Sequence, residues 1–209
     1  MSAAQAMNLG RLLTQTAALF ADRPGLIQEG GRSWTWGEIE ARVAAMTAAL
    51  RALGLKKGDR ILVQSRNNLQ MFESCWVAFR LGCVWLPTNF RLTPPEVAYL
   101  GASSGAVAMI VEDIFPGHTD AVRAASPALA HVLAIGRARE GEHSYEDLLR
   151  AHQQHDASQA EHETVDRDDP LWFFYTSGTT GRPKAGVLTH GQMAFVVANH
   201  LADLIPGTT

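Results

Sequence analysis

Residues 173–190 read FFYTSGTTGRPKAGVLTH. Within the nine positions 176–184 stand four hydroxyls (Thr176, Ser177, Thr179, Thr180), two glycines (Gly178, Gly181) and two cations (Arg182, Lys184). Glycine lets a backbone come close to a ligand, while hydroxyls and cations donate to anionic oxygens, so the chemistry of this stretch is that of holding phosphate. A plain hairpin turn uses Gly, Asn, Asp and Ser, but needs neither four hydroxyls nor a lysine. The flanks decide what kind of loop this is. Residues 171–175 are apolar and aromatic, as in a buried strand, and residues 186–189 form a second strand. Thr189 with Gln192 makes a capping box that starts a helix only after that. The loop therefore joins strand to strand. It is not the triphosphatase loop, in which G-x-x-x-x-G-K-[ST] opens a helix, because Lys184 follows Pro183 and precedes Ala185. It is not the dinucleotide turn either, since G-x-G-x-x-G is absent.

The elements that must carry this loop can be read in order. Residues 9–20 are apolar at helical spacing. Residues 25–28 and 32–35 are short strands around Glu29-Gly30-Gly31. Thr35 and Glu38 form a capping box. Ile39, Val43, Met46, Leu50 and Leu53 then recur at steps of three or four until Gly54 closes the helix. Strands are expected at 60–64, 83–87, 107–112 and 131–136, and helices at 69–81 and 94–103, with another beginning at Ser144. Alternating helices with near-continuous apolar strands imply an α/β fold: a mostly parallel sheet flanked by helices, ending in the phosphate-loop hairpin. The expected division is an α/β subdomain over 1–150, a polar linker over 151–170, and a hairpin with its helix over 171–209 that begins a second subdomain. His152, His155 and His162 lie in the polar stretch with no helical spacing and no cysteine beside them, which reads as a solvated loop rather than a metal site.

Composition narrows the function. The chain has 209 residues, 46% of them hydrophobic, and a formal net charge of -3, which gives no electrostatic case for a nucleic-acid or anionic-membrane partner. Cys75 and Cys83 match neither a disulfide framework nor a zinc spacing, and read as buried free thiols of a reducing compartment. With no signal-peptide pattern and no apolar run long enough to span a bilayer, the expected location is cytoplasmic.

Tyr175-Thr-Ser-Gly-Thr-Thr-Gly-Arg-Pro-Lys184, followed by Val187-Leu-Thr-His190, resembles the phosphate-loop signature of the adenylate-forming (AMP-binding) superfamily, and most of all its acyl-CoA synthetases, the fatty acid–CoA ligases. Lys57-Gly-Asp-Arg-Ile-Leu-Val and the stretch Leu81-Gly-Cys-Val-Trp-Leu-Pro-Thr-Asn-Phe-Arg-Leu-Thr-Pro94 resemble that family too, so the likeness covers nearly the whole chain. One departure is Ala185, where the family usually has Gly after the lysine.

The resemblance implies a ligase that uses ATP, Mg2+ and coenzyme A. A carboxylic acid, expected to be a fatty acid, is activated as an acyl-adenylate and then passed to the coenzyme A thiol. Carried over by position, Thr176, Ser177, Gly178, Thr179, Thr180 and Gly181 wrap the ATP phosphates, Lys184 adds charge, and the Thr176 hydroxyl lies near Mg2+. Arg182 is expected to face solvent, Asn89 and Arg91 to shape a loop, and His190 to serve structure rather than catalysis. The family's Tyr-Gly-x-Thr-Glu segment, its ribose-binding aspartate and its C-terminal lysine do not occur here. The chain is therefore expected to be an N-terminal portion that carries no catalytic residue and is inactive alone, with unpaired strand edges able to meet a second copy. The alternatives are a catalytically dead phosphate-binding or interaction module of the same fold, and an amino-acid-adenylating domain. A kinase or ATPase is disfavoured by the hairpin placement of the loop.

Overall fold

The computed structural model describes residues 7–176 and 182–201. A two-stranded antiparallel hairpin, β1 (Pro24–Ile27) and β2 (Ser33–Thr35), turns at Gly30, whose φ of 64° is left-handed. The remaining strands are β3 (Arg60–Gln64), β4 (Val84–Pro87), β5 (Ala108–Glu112), β6 (His131–Ile135), β7 (His143–Ser144), β8 (Pro170–Thr176) and β9 (Lys184–Thr189). They form one seven-stranded sheet in the order β7-β6-β5-β3-β4-β8-β9. Every neighbouring pair is parallel except β8 with β9.

The strand sequences explain why both faces are covered. On one face Ile61, Val63, Ile110 and Leu133 pack with α1 (Arg11–Phe20), α2 (Trp36–Ala52), α3 (Leu69–Leu81) and α6 (Tyr145–Ala151). On the other, Leu62, Met109, Val111 and Val132 pack with α4 (Pro94–Ser104) and α5 (Pro116–Ala125). Side chains alternate across the sheet, so a strand buried on both sides must be apolar at every position, as RILVQ and AMIVE nearly are. Each fully buried Ile or Leu here contributes about 1.5–3 kcal/mol.

The helices start and stop where their caps lie. Thr35 Oγ1 accepts from the Glu38 N–H at 3.2 Å and the Glu38 carboxylate accepts from the Thr35 N–H at 2.9 Å, opening α2. Asn68 caps α3 at 2.8 Å through the Met71 N–H, and Gly82, at φ 65°, closes it. Between these helices and α6, the fully buried Glu73 carboxylate accepts from the Arg42 guanidinium and from Tyr145 Oη at 3.1 Å. Arg42 also reaches Glu146 at 2.7 Å, so one guanidinium ties three helices together.

Three features depart from expectation. Helix α5 was not anticipated: its N-cap Phe115 makes no side-chain bond, and only His118, Thr119 and Val122 are buried, which leaves little apolar period to read. Strand β7 has just two residues. The stretch 151–170 is not simply an exposed connection, because Ala160 and Val165 are buried. Its backbone is tied down as well: the Glu163 N–H donates to Arg80 O at 2.8 Å, and Asn8 Nδ2 donates to Glu163 O at 2.9 Å. His162 lies against Thr14 Oγ1 at 3.2 Å, and burial first, then the positive charge of Arg80, lowers its pKa to about 4. His152 Nδ1 lies 2.9 Å from Leu148 O and His155 Nδ1 2.9 Å from His152 O. Among the described residues no group of three or more His, Cys, Asp or Glu is placed to hold a metal ion. No helix among them is long and apolar enough to cross a membrane.

Candidate phosphate-binding site

In an open parallel sheet, ligands bind beyond the carboxyl ends of the strands. That edge here carries Ser65–Asn68 after β3, Thr88–Leu92 after β4, Asp113 after β5 and Thr176 at the end of β8. Strand β9 runs antiparallel from Lys184, and Thr176 and Lys184 are partners across the ladder. The Thr176 hydroxyl and the Lys184 ammonium thus leave adjacent strands at one end of the hairpin. Both residues are exposed, and neither makes a side-chain hydrogen bond or ion pair with another described residue. Lys184, expected within the loop, is the first residue of β9. Ser177, Gly178, Thr179, Thr180 and Gly181 lie outside the described residues.

An exposed ammonium and an exposed hydroxyl, one strand apart, fit an anionic oxygen group such as a nucleotide phosphate. The Thr176 hydroxyl also fits Mg2+, an ion that keeps several waters and is held mainly by phosphate oxygens, and so needs no acidic cluster from the protein.

Helix α4 holds the stem of this hairpin. Tyr99 Oη donates to Pro183 O at 3.3 Å, and Ser103 Oγ lies 2.9 Å from Tyr175 Oη. Arg182, expected to face solvent, is exposed but places its guanidinium over the Tyr99 ring, 5.7 Å from the centroid. At the other end of the hairpin, Lys57 Nζ and Asp169 form an ion pair at 2.6 Å. The His190 N–H donates to Asp169 O at 3.1 Å.

The His190 imidazole is fully buried at the first turn of α7 (His190–Asn199). Its Nδ1 accepts from the Leu9 N–H at 3.3 Å, its Nε2 has no partner among the described residues, and its ring meets Phe79 edge-on. Burial is the main cause that lowers its pKa, to about 4, against the opposing pull of Asp169. The ring thus lies inside the protein in the first turn of the last described helix, the position expected from the sequence. Asn89 likewise shapes its loop, its Oδ1 accepting from the Arg91 N–H at 3.0 Å, while Arg91 lies over the Phe90 ring.

Sequence reasoning missed a second polar group on the same edge. Glu112 accepts from the Arg66 guanidinium at 2.6 Å and from the Arg66 N–H at 3.0 Å. Burial works to raise the Glu112 pKa, but these bonds outweigh it and hold the carboxyl below its usual range. Its signal, an Arg after one apolar strand and a Glu ending another, is too common to single out. A cleft of about 700 Å³ opens near Asn67 and Asn68, walled by Leu26, Met71, Phe72 and Trp85.

The family model described as AMP-binding enzyme matches residues 13–207. A feruloyl-CoA synthase from Amycolatopsis sp is 34% identical over 177 residues, a match covering 85% of this chain and 32% of that protein. The fatty acid–[acyl-carrier-protein] ligase ScoC of Streptomyces coeruleorubidus is 31% identical over 195 residues, covering 91% of this chain and 35% of its own. The chain thus spans about a third of the length of the curated relatives it matches. Among solved structures, the anthranilate CoA ligase AuaEII in complex with anthranoyl-AMP superposes with a TM-score of 0.84 at 23% identity, over 93% of this chain and 37% of that one, which shows a shared fold. The layered parallel sheet and the hairpin agree with the family match, and the chain belongs to the AMP-binding enzyme family.

Proposed function

We propose that this chain is the N-terminal, phosphate-binding part of an ATP-dependent acid–thiol ligase. In that reaction the carboxylate of an acid attacks the α-phosphorus of ATP, the bond to the bridging oxygen breaks, and pyrophosphate leaves. The thiol of coenzyme A then attacks the acyl carbon of the adenylate and AMP departs. The observation that carries the reading is the pair Thr176 and Lys184, without a side-chain partner among the described residues and side by side at the carboxyl edge of the sheet. Lys184 offers a fixed positive charge where negative charge grows on the leaving pyrophosphate, and preorganised charge contributes most at such a point. Thr176, Ser177, Gly178, Thr179, Thr180 and Gly181 surround the phosphates. The Thr176 hydroxyl would help to hold Mg2+, which would supply charge neutralisation.

The acid is apolar, a fatty acid in the form we favour, which agrees with relatives named for feruloyl and fatty acids. The site works in the cytoplasm, and residues 151–170 mark the passage from the helix-covered sheet to the hairpin that opens a second subdomain. The exposed edge of β9, with Val187 outward, supports pairing with a second copy, seen as concentration-dependent sedimentation. The chain itself contributes phosphate binding rather than turnover.

Calorimetric titration tests this reading. Inorganic pyrophosphate with Mg2+ should bind the chain, and Lys184→Ala should weaken it about tenfold or more, since a charge-assisted contact contributes roughly 1.5–3 kcal/mol. Equal affinity in the variant would sink it. In a protein extended by the remaining two-thirds of such a ligase, pyrophosphate should exchange into ATP only when an acid is supplied, and a panel of dodecanoate, ferulate and benzoate would identify the acid.

A further inference from the structure

Resting on the phosphate-binding reading, we infer that helix α4 is the platform that positions the hairpin, with Tyr99 as the positioning residue for the limb that leaves the loop and Ser103 for the limb that enters it. The parallel ladder of the sheet stops short of the loop end of the hairpin. Strand β8 is registered to β4 at a single pair, Trp85 with Trp172, four positions before Thr176. Beyond that pair, β8 has only β9 beside it, and β9 has no further strand among the described residues. Two strands alone are marginal in water, so the end of the hairpin that presents Thr176 and Lys184 needs another support.

Helix α4 supplies it on both limbs. Tyr99 Oη donates to Pro183 O at 3.3 Å, one residue before Lys184. Ser103 Oγ, one helical turn further along the same face, bonds Tyr175 Oη at 2.9 Å, one residue before Thr176. The Arg182 guanidinium lies over the Tyr99 ring. The two residues assigned to phosphate are thus each next to a residue tethered to α4.

The platform itself is fixed. A capping box joins Thr93 and Glu96 at its start, with the Glu96 carboxylate accepting from the Thr93 N–H at 2.7 Å. At its end the Arg60 guanidinium donates to Ser104 O at 2.8 Å and to Gly105 O at 2.5 Å, binding α4 to the first residue of β3. Phe173 and Tyr175 pack against the same apolar cluster as Val97 and Leu100, so the entering limb also shares a face with the helix.

Two measurements on the chain test the inference, and they separate it from the reading on which it rests. Tyr99→Phe keeps the ring beneath Arg182 and removes only the hydroxyl. We expect amide hydrogen exchange at residues 184–186 to quicken about fivefold, and exchange in β5 to stay unchanged. Ser103→Ala, a change on the exposed side of α4, should do the same to residues 175 and 176. Pyrophosphate affinity should fall about fivefold in Tyr99→Phe, with the unfolding midpoint nearly constant. Unaltered exchange at 184–186 in Tyr99→Phe would overturn the platform, whether or not pyrophosphate binds. Altered exchange with unaltered affinity would overturn its positioning role. Absence of pyrophosphate binding in the wild-type chain would instead refute the phosphate reading, and the exchange result would still decide the tether.

Discussion

Lowering the pH probes the junction at which α7 begins. His190 is held neutral: its Nδ1 accepts from the Leu9 N–H, its Nε2 faces no acceptor among the described residues, and burial brings its pKa from the ordinary 6.5 to about 4. The charged groups that act on it are Asp169, which favours the imidazolium, and Lys57, which opposes it. A folded-state pKa below the unfolded one means that the unfolded chain binds more protons between those values. Stability therefore rises with pH through that window and is lost as pH falls from about 6.5 toward 4. For one such histidine the loss between pH 7 and pH 5 comes to about 2 kcal/mol, and the whole shift to about 3 kcal/mol. Half-buried His162 adds to it in the same direction. Urea unfolding at pH 7, 6 and 5 would measure the slope in the wild type and in His190→Gln, whose amide oxygen can still accept from Leu9 but does not titrate. The variant should be less stable at pH 7 and lose about 2 kcal/mol less on going to pH 5. Parallel losses in the two proteins would show that His190 titrates normally and that its burial is wrongly understood.

Other consequences are as direct. Arg42→Met strands the fully buried Glu73 carboxylate among α2, α3 and α6, and should lower stability by about 3–5 kcal/mol, with a smaller deficit at acid pH, where Glu73 takes up a proton. Gly82→Ala places a Cβ 3.1 Å from Val165 Cγ1 and forces a φ of 65° on an L residue, so denaturant titration should show a loss of about 1–2 kcal/mol. Burial pushes the thiols of Cys75 and Cys83 up to about 12, and a thiol reagent at pH 8 should label both in urea but neither at a comparable rate in the folded chain.

What could be read in the sequence was whatever its own neighbours decide. The Thr35–Glu38 box, the Asn68 cap and Gly82 lie within a few positions of the helix ends they set, so α2 and α3 were found nearly to the residue. The central strands are apolar along almost their whole length because both faces are covered, and that too is local information. Helix α5 escaped because two of its three buried residues, His118 and Thr119, are polar, and Pro116 and Gly117 at its start read as a turn. The stretch 151–170 looked solvated because its burial rests on two small or branched residues, Ala160, whose carbonyl accepts from the Arg80 guanidinium, and Val165, which lies against Gly82. Polar composition cannot report a seat built by another part of the chain.

The same distinction runs through the phosphate site. A ligand with several anionic oxygens is met by donors that arrive together, so its recognition is written contiguously and the nine positions 176–184 disclose it. What holds those donors in place is not contiguous. Tyr99 and Ser103 sit 84 and 72 positions from the residues they tether, on a helix that by sequence is an ordinary amphipathic segment. No local signal separates a tyrosine that steadies a loop from one that fills a surface, because the difference is made by where β8 leaves β4. A hairpin registered to its sheet at one pair transfers the task of orientation to whatever lies across its face. That division predicts which substitutions act on phosphate affinity without touching phosphate: those on α4 facing Pro183 and Tyr175, and not those on α5, which packs against α4.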